Sequence, residues 1–128
     1  MSEEDIKTLR LVYGAAGRQD WNAALEAMDS NIEWKSVLAG THHGHDEVRR
    51  FFEDMTAPFE KTVFEPEEFF DHGDQIVVFV RMRVRPSGSD AFVENRVGHL
   101  WTMREGKAVR CRTFPRREDA LEAAGLSE

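Results

Sequence analysis

Apolar residues near the N-terminus recur at intervals of three and four: Ile6, Leu9, Tyr13 and Ala16, with Val12 beside them. That spacing places side chains on one face of a helix. Gly14 and Gly17 weaken its end, and Asp20 is placed to cap a second short helix with Trp21, Ala24, Leu25 and Met28 on its apolar face. After a polar break at Asp29-Ser30-Asn31, the run Ile32-Glu33-Trp34-Lys35-Ser36 alternates, as a half-buried strand does, so Ile32, Trp34 and Ser36 share a face. A Gly- and His-rich loop is predicted up to Gly44. Val48, Phe51, Phe52 and Met55 then form the inward stripe of a third helix, with Arg49, Arg50, Glu53 and Asp54 outward and His45 or Asp46 as a possible cap. Pro58 marks the end of that helix or lies just beyond it.

From Thr62 onward the period becomes two. Turn chemistry at His72-Gly73-Asp74, Pro86-Ser87-Gly88-Ser89-Asp90 and Glu105-Gly106-Lys107 separates four strands that should form an antiparallel meander. In the strand over 75–85, Ile76, Val78, Val80, Met82 and Val84 share a core face, leaving Arg81, Arg83 and Arg85 on the other. Ala120, Leu121 and Ala124 predict a terminal helix stopping at Gly125. Helices first and a curled sheet afterwards make an α+β fold, since each layer must bury its apolar face on the other.

Composition narrows the function classes. A chain of 128 residues with 41% hydrophobic and 32% charged residues fits one ordinary domain, 1–128, able to bury its own core. Acids outnumber bases 24 to 17, a formal charge of −7. This disfavours nucleic acid, whose binders neutralise phosphates with a basic face, and an anionic membrane surface. No apolar run approaches a membrane span, and the opening MSEEDIKTLR lacks a secretory pattern, which points to a cytoplasmic protein. Cys111, the only cysteine, falls inside a predicted strand as a core residue.

The run from Ala39 through Phe51, AGTHHGHDEVRRF, resembles the glycine-loop and third-helix motif of SnoaL-like domains, relatives of nuclear transport factor two. His99-Leu100-Trp101-Thr102-Met103-Arg104-Glu105-Gly106-Lys107, continued through Ala120 to Leu126, resembles the last hairpin and C-terminal signature of the same family. The resemblance implies a cone-shaped curved antiparallel sheet wrapped around the N-terminal helices, with an apolar pocket, and pairing of two copies through their sheets. The family holds polyketide cyclases, steroid isomerases, epoxide hydrolases, dehydratases and non-catalytic binding or dimerisation modules, so the fold does not select an activity. Ser36 falls where the isomerases carry a carboxylate base, Thr113 where the cyclases carry an acid/base Asp, and His99 near the polar pocket group of both. The Asp-Arg-Asp set of the epoxide hydrolases has no counterpart.

His99 is the candidate catalytic group. It shares a face with Val93, Asn95, Val97, Trp101 and Met103, and an imidazole there can act as acid, base or oxyanion donor. Tyr13, Trp34 and Trp101 are candidate aromatic walls for a ligand, with Phe51 and Met55 from the third helix. Ser36 and Thr113 are candidate hydrogen-bonding wall residues, Ser36 having no neighbouring base to make it a nucleophile. His42, His43, His45 and Asp46 are the densest group of possible metal ligands, but they share one loop, so neither metal nor other cofactor is expected. Glu94 and Arg96, with Arg110 and Arg112 one strand over, form a charged face suited to cross-strand pairing or to a homodimer interface. The expected partner is a small, largely apolar organic ligand. The expected roles are a cofactor-independent isomerase, cyclase or lyase acting beside a carbonyl, or a module that binds without catalysis.

Overall fold

The computed structural model describes residues 2–126. The helical period of the N-terminus becomes α1, Ser2–Gly17, and α2, Trp21–Glu26. Asp20 caps α2 as the sequence suggests, its Oδ1 accepting from Ala23 N at 3.2 Å. Met28 does not belong to α2. It opens strand β1, Met28–Ser36, and the polar break expected at 29–31 lies inside that strand as an irregularity between Met28 and Glu33. Asp29 makes it locally possible by accepting from Asn31 N through Oδ2 at 2.8 Å, an Asx turn within the strand.

The Gly- and His-rich segment is also more regular than a loop. Gly40–His43 forms strand β2, paired antiparallel with β1 so that Trp34 faces His42 and Lys35 faces Thr41. Helix α3, Gly44–Thr56, follows at once. Neither His45 nor Asp46 caps it; Glu47, one position beyond that of a capping box, accepts from His43 N through Oε1 at 2.7 Å. His45 instead donates from Nε2 to Met28 O at 3.0 Å, tying the start of α3 to β1.

Strands β3 (Phe59–His72), β4 (Gln75–Pro86), β5 (Val93–Arg104) and β6 (Lys107–Phe114) form the expected antiparallel meander, and α4, Arg117–Ala123, ends the described chain. The β5–β6 turn needs positive φ at Glu105 and Gly106, 52° and 81°, which suits a tight hairpin matched to strand twist. The sheet order is β2-β1-β6-β5-β4-β3, a curved and unclosed six-stranded sheet in which β1 lies parallel to β6. That pairing lets β1, formed early in the chain, carry Trp34 and Ser36 beside the last strand. Pro66 is tolerated because β3 is an edge.

Helices α1–α3 fill one face of the sheet. Leu9, Val12 and Tyr13 from α1, Trp21 and Ala24 from α2, and Val48 and Phe52 from α3 pack against Ile32, Ile76, Val78, Val80, Trp101 and Cys111. A smaller core lies on the opposite face, where Ala120, Leu121 and Ala124 of the α4 segment cover Val77, Phe79 and Leu100. Gly98 permits that second contact: a Cβ there would stand 2.8 Å from Ala120 Cβ and 3.0 Å from Arg117 Cα. The rest of this outer face is charged: Arg81 pairs with Glu65 and Glu94, Arg85 with Glu60 and Arg96 with Glu67, while Arg83 lies over the Phe92 ring.

Candidate functional site

The register across the sheet assembles the site in rows. Ser36 lies opposite Thr113, and Thr113 opposite His99, so β1, β6 and β5 set three polar side chains side by side on the helix-covered face. The next row runs from Trp34 through Cys111 to Trp101 and Ile76. Alternation on a strand sends both rows inward.

Tyr13 reaches this layer from α1. Trp101 Nε1, which can only donate, gives its hydrogen to the Tyr13 oxygen at 2.8 Å, and Tyr13 OH lies 2.7 Å from His99 Nδ1. Burial among apolar and aromatic groups holds the His99 pKa down at about 4. The imidazole is therefore neutral near pH 7; Nδ1 is the acceptor that the buried Tyr13 hydroxyl hydrogen finds in this layer, an arrangement that assigns the ring hydrogen to Nε2. Burial and the nearby Cys111 push the Tyr13 phenol up, against the opposing effect of the Trp101 hydrogen bond. Aromatic contacts fix the imidazole on several sides: Tyr13 at 5.7 Å nearly parallel, Trp34 at 6.0 Å and Trp101 at 6.3 Å edge-on.

Two neighbouring cavities use these walls. The inner one, about 60 Å³, is lined by Tyr13, Trp21, Trp34, Phe52, His99 and Trp101 together with apolar residues of α1, α2, α3 and the sheet. The outer one, about 200 Å³, is lined by Ser36, Phe51, Asn95, Val97 and Thr113 and by the loop residues Val37 and Leu38. Trp34, Met55 and Met82 line both. Neither wall contains an Asp or Glu. Trp34 Nε1 is buried without a hydrogen-bond partner. Ser36 Oγ accepts from Leu38 N and Ala39 N at 3.3 and 3.2 Å, an arrangement that holds its loop and leaves the hydroxyl without a base.

The SnoaL-like domain profile matches residues 9–111. The chain belongs to the SnoaL-like domain family. No curated protein matches the sequence. Among solved structures, an NTF2-like protein from Burkholderia pseudomallei K96243 is 26% identical over 93% of this chain and 95% of its own, with a TM-score of 0.79. TerC, crystallised with polyporic acid, is 26% identical over 87% of this chain and 90% of its own, with a TM-score of 0.78. A protein put forward as a SnoaL-like polyketide cyclase, from Jannaschia sp. CCS1, is 19% identical over 88% and 85% with a TM-score of 0.76, a likeness of fold alone.

Within this SnoaL-like domain the structure brings all the sequence-derived candidates to the two cavities: Tyr13, Trp34, His99 and Trp101 to the inner one, Ser36, Phe51 and Thr113 to the outer, and Met55 to both. Phe51 is only half-buried, whereas Phe52 is the fully inward aromatic of α3. The sequence reading did not single out Trp21, Phe64, Met82 or Asn95 as wall residues. Met82 and Asn95 were already on inward faces by alternation, and they are cross-strand partners. The three imidazoles around the start of α3 diverge: His42 stacks on Phe51 at 4.5 Å, His43 occupies the N-cap, and His45 bonds Met28 O. No helix among the described residues is long and apolar enough to cross a membrane.

Proposed function

We propose that this SnoaL-like domain binds a small, largely apolar organic molecule carrying a hydrogen-bond acceptor such as a carbonyl, and that it works as a homodimer paired through its sheet. The observation that carries the binding reading is the chain Trp101 to Tyr13 to His99. It engages Nδ1 and fixes a ring kept neutral by burial in the wall of an apolar cavity, where we take Nε2–H to be the donor that a ligand meets. Such a site pays little to order its polar group, and a buried donor without an acceptor costs about 1–3 kcal/mol, so an acceptor-bearing ligand is favoured over a hydrocarbon of equal size.

A fixed donor facing a carbonyl is also half of what an isomerase, cyclase or lyase requires. The other half is a base. The cavity walls offer no carboxylate, and an imidazole held at about 4 is a poor proton acceptor near neutral pH. Binding without proton transfer by this chain is therefore the reading the geometry supports best.

The test is ligand titration with polyporic acid, the molecule held by one structural relative, and with the simpler aromatic ketone 4-acetylbiphenyl. Binding of either should quench tryptophan fluorescence and move the ring nitrogen signals of His99, and His99→Gln should weaken affinity while Tyr13→Phe, which frees Nδ1, should do so as well. Movement of the Trp34 or Trp101 signals with His99 unmoved would put His99 outside the site and overturn the reading.

A further inference from the structure

We infer that Met55 and Met82 form a movable partition between the two cavities, and that the ligand is an elongated molecule that displaces them and occupies both. The inference rests on the binding reading above and goes on to assign the shape of the ligand and its route. Trp34, Met55 and Met82 are the residues common to both walls, so they stand where the inner and outer spaces meet. Trp34 is held in place by Phe52 at 4.9 Å and Trp101 at 5.4 Å, both edge-on. The two methionines are only partly buried, come from different layers, α3 and β4, and have unbranched side chains that change rotamer without moving the backbone.

Size makes the partition matter. A volume of about 60 Å³ beside His99 is far below the roughly 300–1,000 Å³ of ordinary ligand pockets, and the outer space of about 200 Å³ also falls short. Joined, with the thioether arms swung aside, they approach that range. The polarity of the walls then fixes the order of groups along the ligand. The inner end carries the acceptor for His99 Nε2–H. The middle is apolar, and an aromatic ring there gains sulfur contacts from both methionines. The outer end meets Asn95 and Thr113, the amide and hydroxyl of the outer wall, and tolerates a hydroxyl or second carbonyl. Access is from the side of Val37 and Leu38, exposed apolar residues at the outer cavity.

The experiment follows 4-acetylbiphenyl binding by stopped-flow tryptophan fluorescence, which reads the inner space because Trp21, Trp34 and Trp101 all line it. In the wild type the observed rate should level off with probe concentration, as it does when a conformational step limits entry. Met82→Ala and, on the opposite wall, Met55→Ala should each abolish that plateau and speed association by about tenfold, within the range by which a required conformational change lowers association rates. Near-UV circular dichroism identifies a variant that is misfolded, and the other then carries the test. Unchanged rates in the folded variants, with His99 ring signals shifting on binding, would overturn the partition and leave the binding reading standing. No shift of His99 at saturation in any of the proteins would remove both.

Discussion

A histidine with one nitrogen bonded to Tyr13 and the rest of its ring against aromatics stays neutral in the fold and charges readily outside it. Its folded pKa of about 4 lies below the value near 6.5 of an unfolded chain. Between those values the unfolded state binds the additional proton, so stability is complete above about pH 6.5, declines as pH falls, and loses no more from this group below about pH 4. The gap corresponds to about 3 kcal/mol, of which about 2 kcal/mol should be lost between pH 7 and pH 4.5. Because other groups titrate in the same window, the measurement is a difference: urea unfolding of wild type and His99→Gln at both pH values, with wild type losing more by about that amount. Equal losses in the two proteins would mean that His99 is solvated or already charged. The residue scale is also where the sequence says most about chemistry, since alternation alone puts His99 inward with Trp101. The bond to Tyr13 is not visible there, because it joins residues 86 positions apart that only the packing of α1 on the sheet brings together.

At the scale of elements, α3 shows how far a pattern carries. The three- and four-residue spacing identifies the helix and its buried stripe, yet it does not rank neighbours on that stripe. Phe52 is 5% exposed and packs on Trp21 at 5.1 Å and Trp34 at 4.9 Å, whereas Phe51 borders the outer cavity. Phe52→Ala should therefore cost about 3–5 kcal/mol, Phe51→Ala less, and the exposed Glu53→Ala within about 0.5 kcal/mol of zero. Chemical denaturation of the three variants checks the order; a Phe51 loss equal to that of Phe52 would contradict the burial. Other elements are hidden from pattern for physical reasons. Gly40-Thr41-His42-His43 has no apolar alternation, and it is a strand only because the edge of β1 offers backbone partners. The break at 29–31 looks like a loop because a bulge uses the same Asx chemistry as a turn. The parallel pairing of β1 with β6, which sets Ser36 beside Thr113, depends on contacts between distant segments that no local period encodes.

At the scale of the whole molecule the remaining question is what the outer sheet face meets. Part of it is closed by α4. The rest is charged but locally balanced: Arg81 binds Glu94 at 2.7 Å and Glu65 at 3.4 Å, Arg96 binds Glu94 at 2.8 Å and Glu67 at 3.2 Å, and Arg110 binds Glu33 at 2.7 Å. The Arg81 hydrogen bond holds the Glu94 carboxyl below its ordinary pKa, keeping the network ionised at neutral pH. Exposed pairs of this kind add little stability, but they neutralise the arginines within their own chain. Two copies, each with a net charge of −7, can then approach through a face on which most arginines are paired, Arg83 and Arg112 standing over Phe92 and Phe114 instead. Phe92, exposed just before β5 with Arg83 and Arg85 over its ring, supplies apolar area for the contact. The proposed homodimer should thus sediment at twice the 14.7 kDa chain mass at micromolar concentration. If apolar contact carries the association, raising the salt concentration should screen the repulsion between copies and strengthen the dimer. Phe92→Asp should give a folded monomer, because it places a charge at the contact while leaving the helix-covered core untouched. A monomeric wild type, or a dimer indifferent to Phe92→Asp, would show that this face is a solvated surface and that the ion pairs serve the sheet alone.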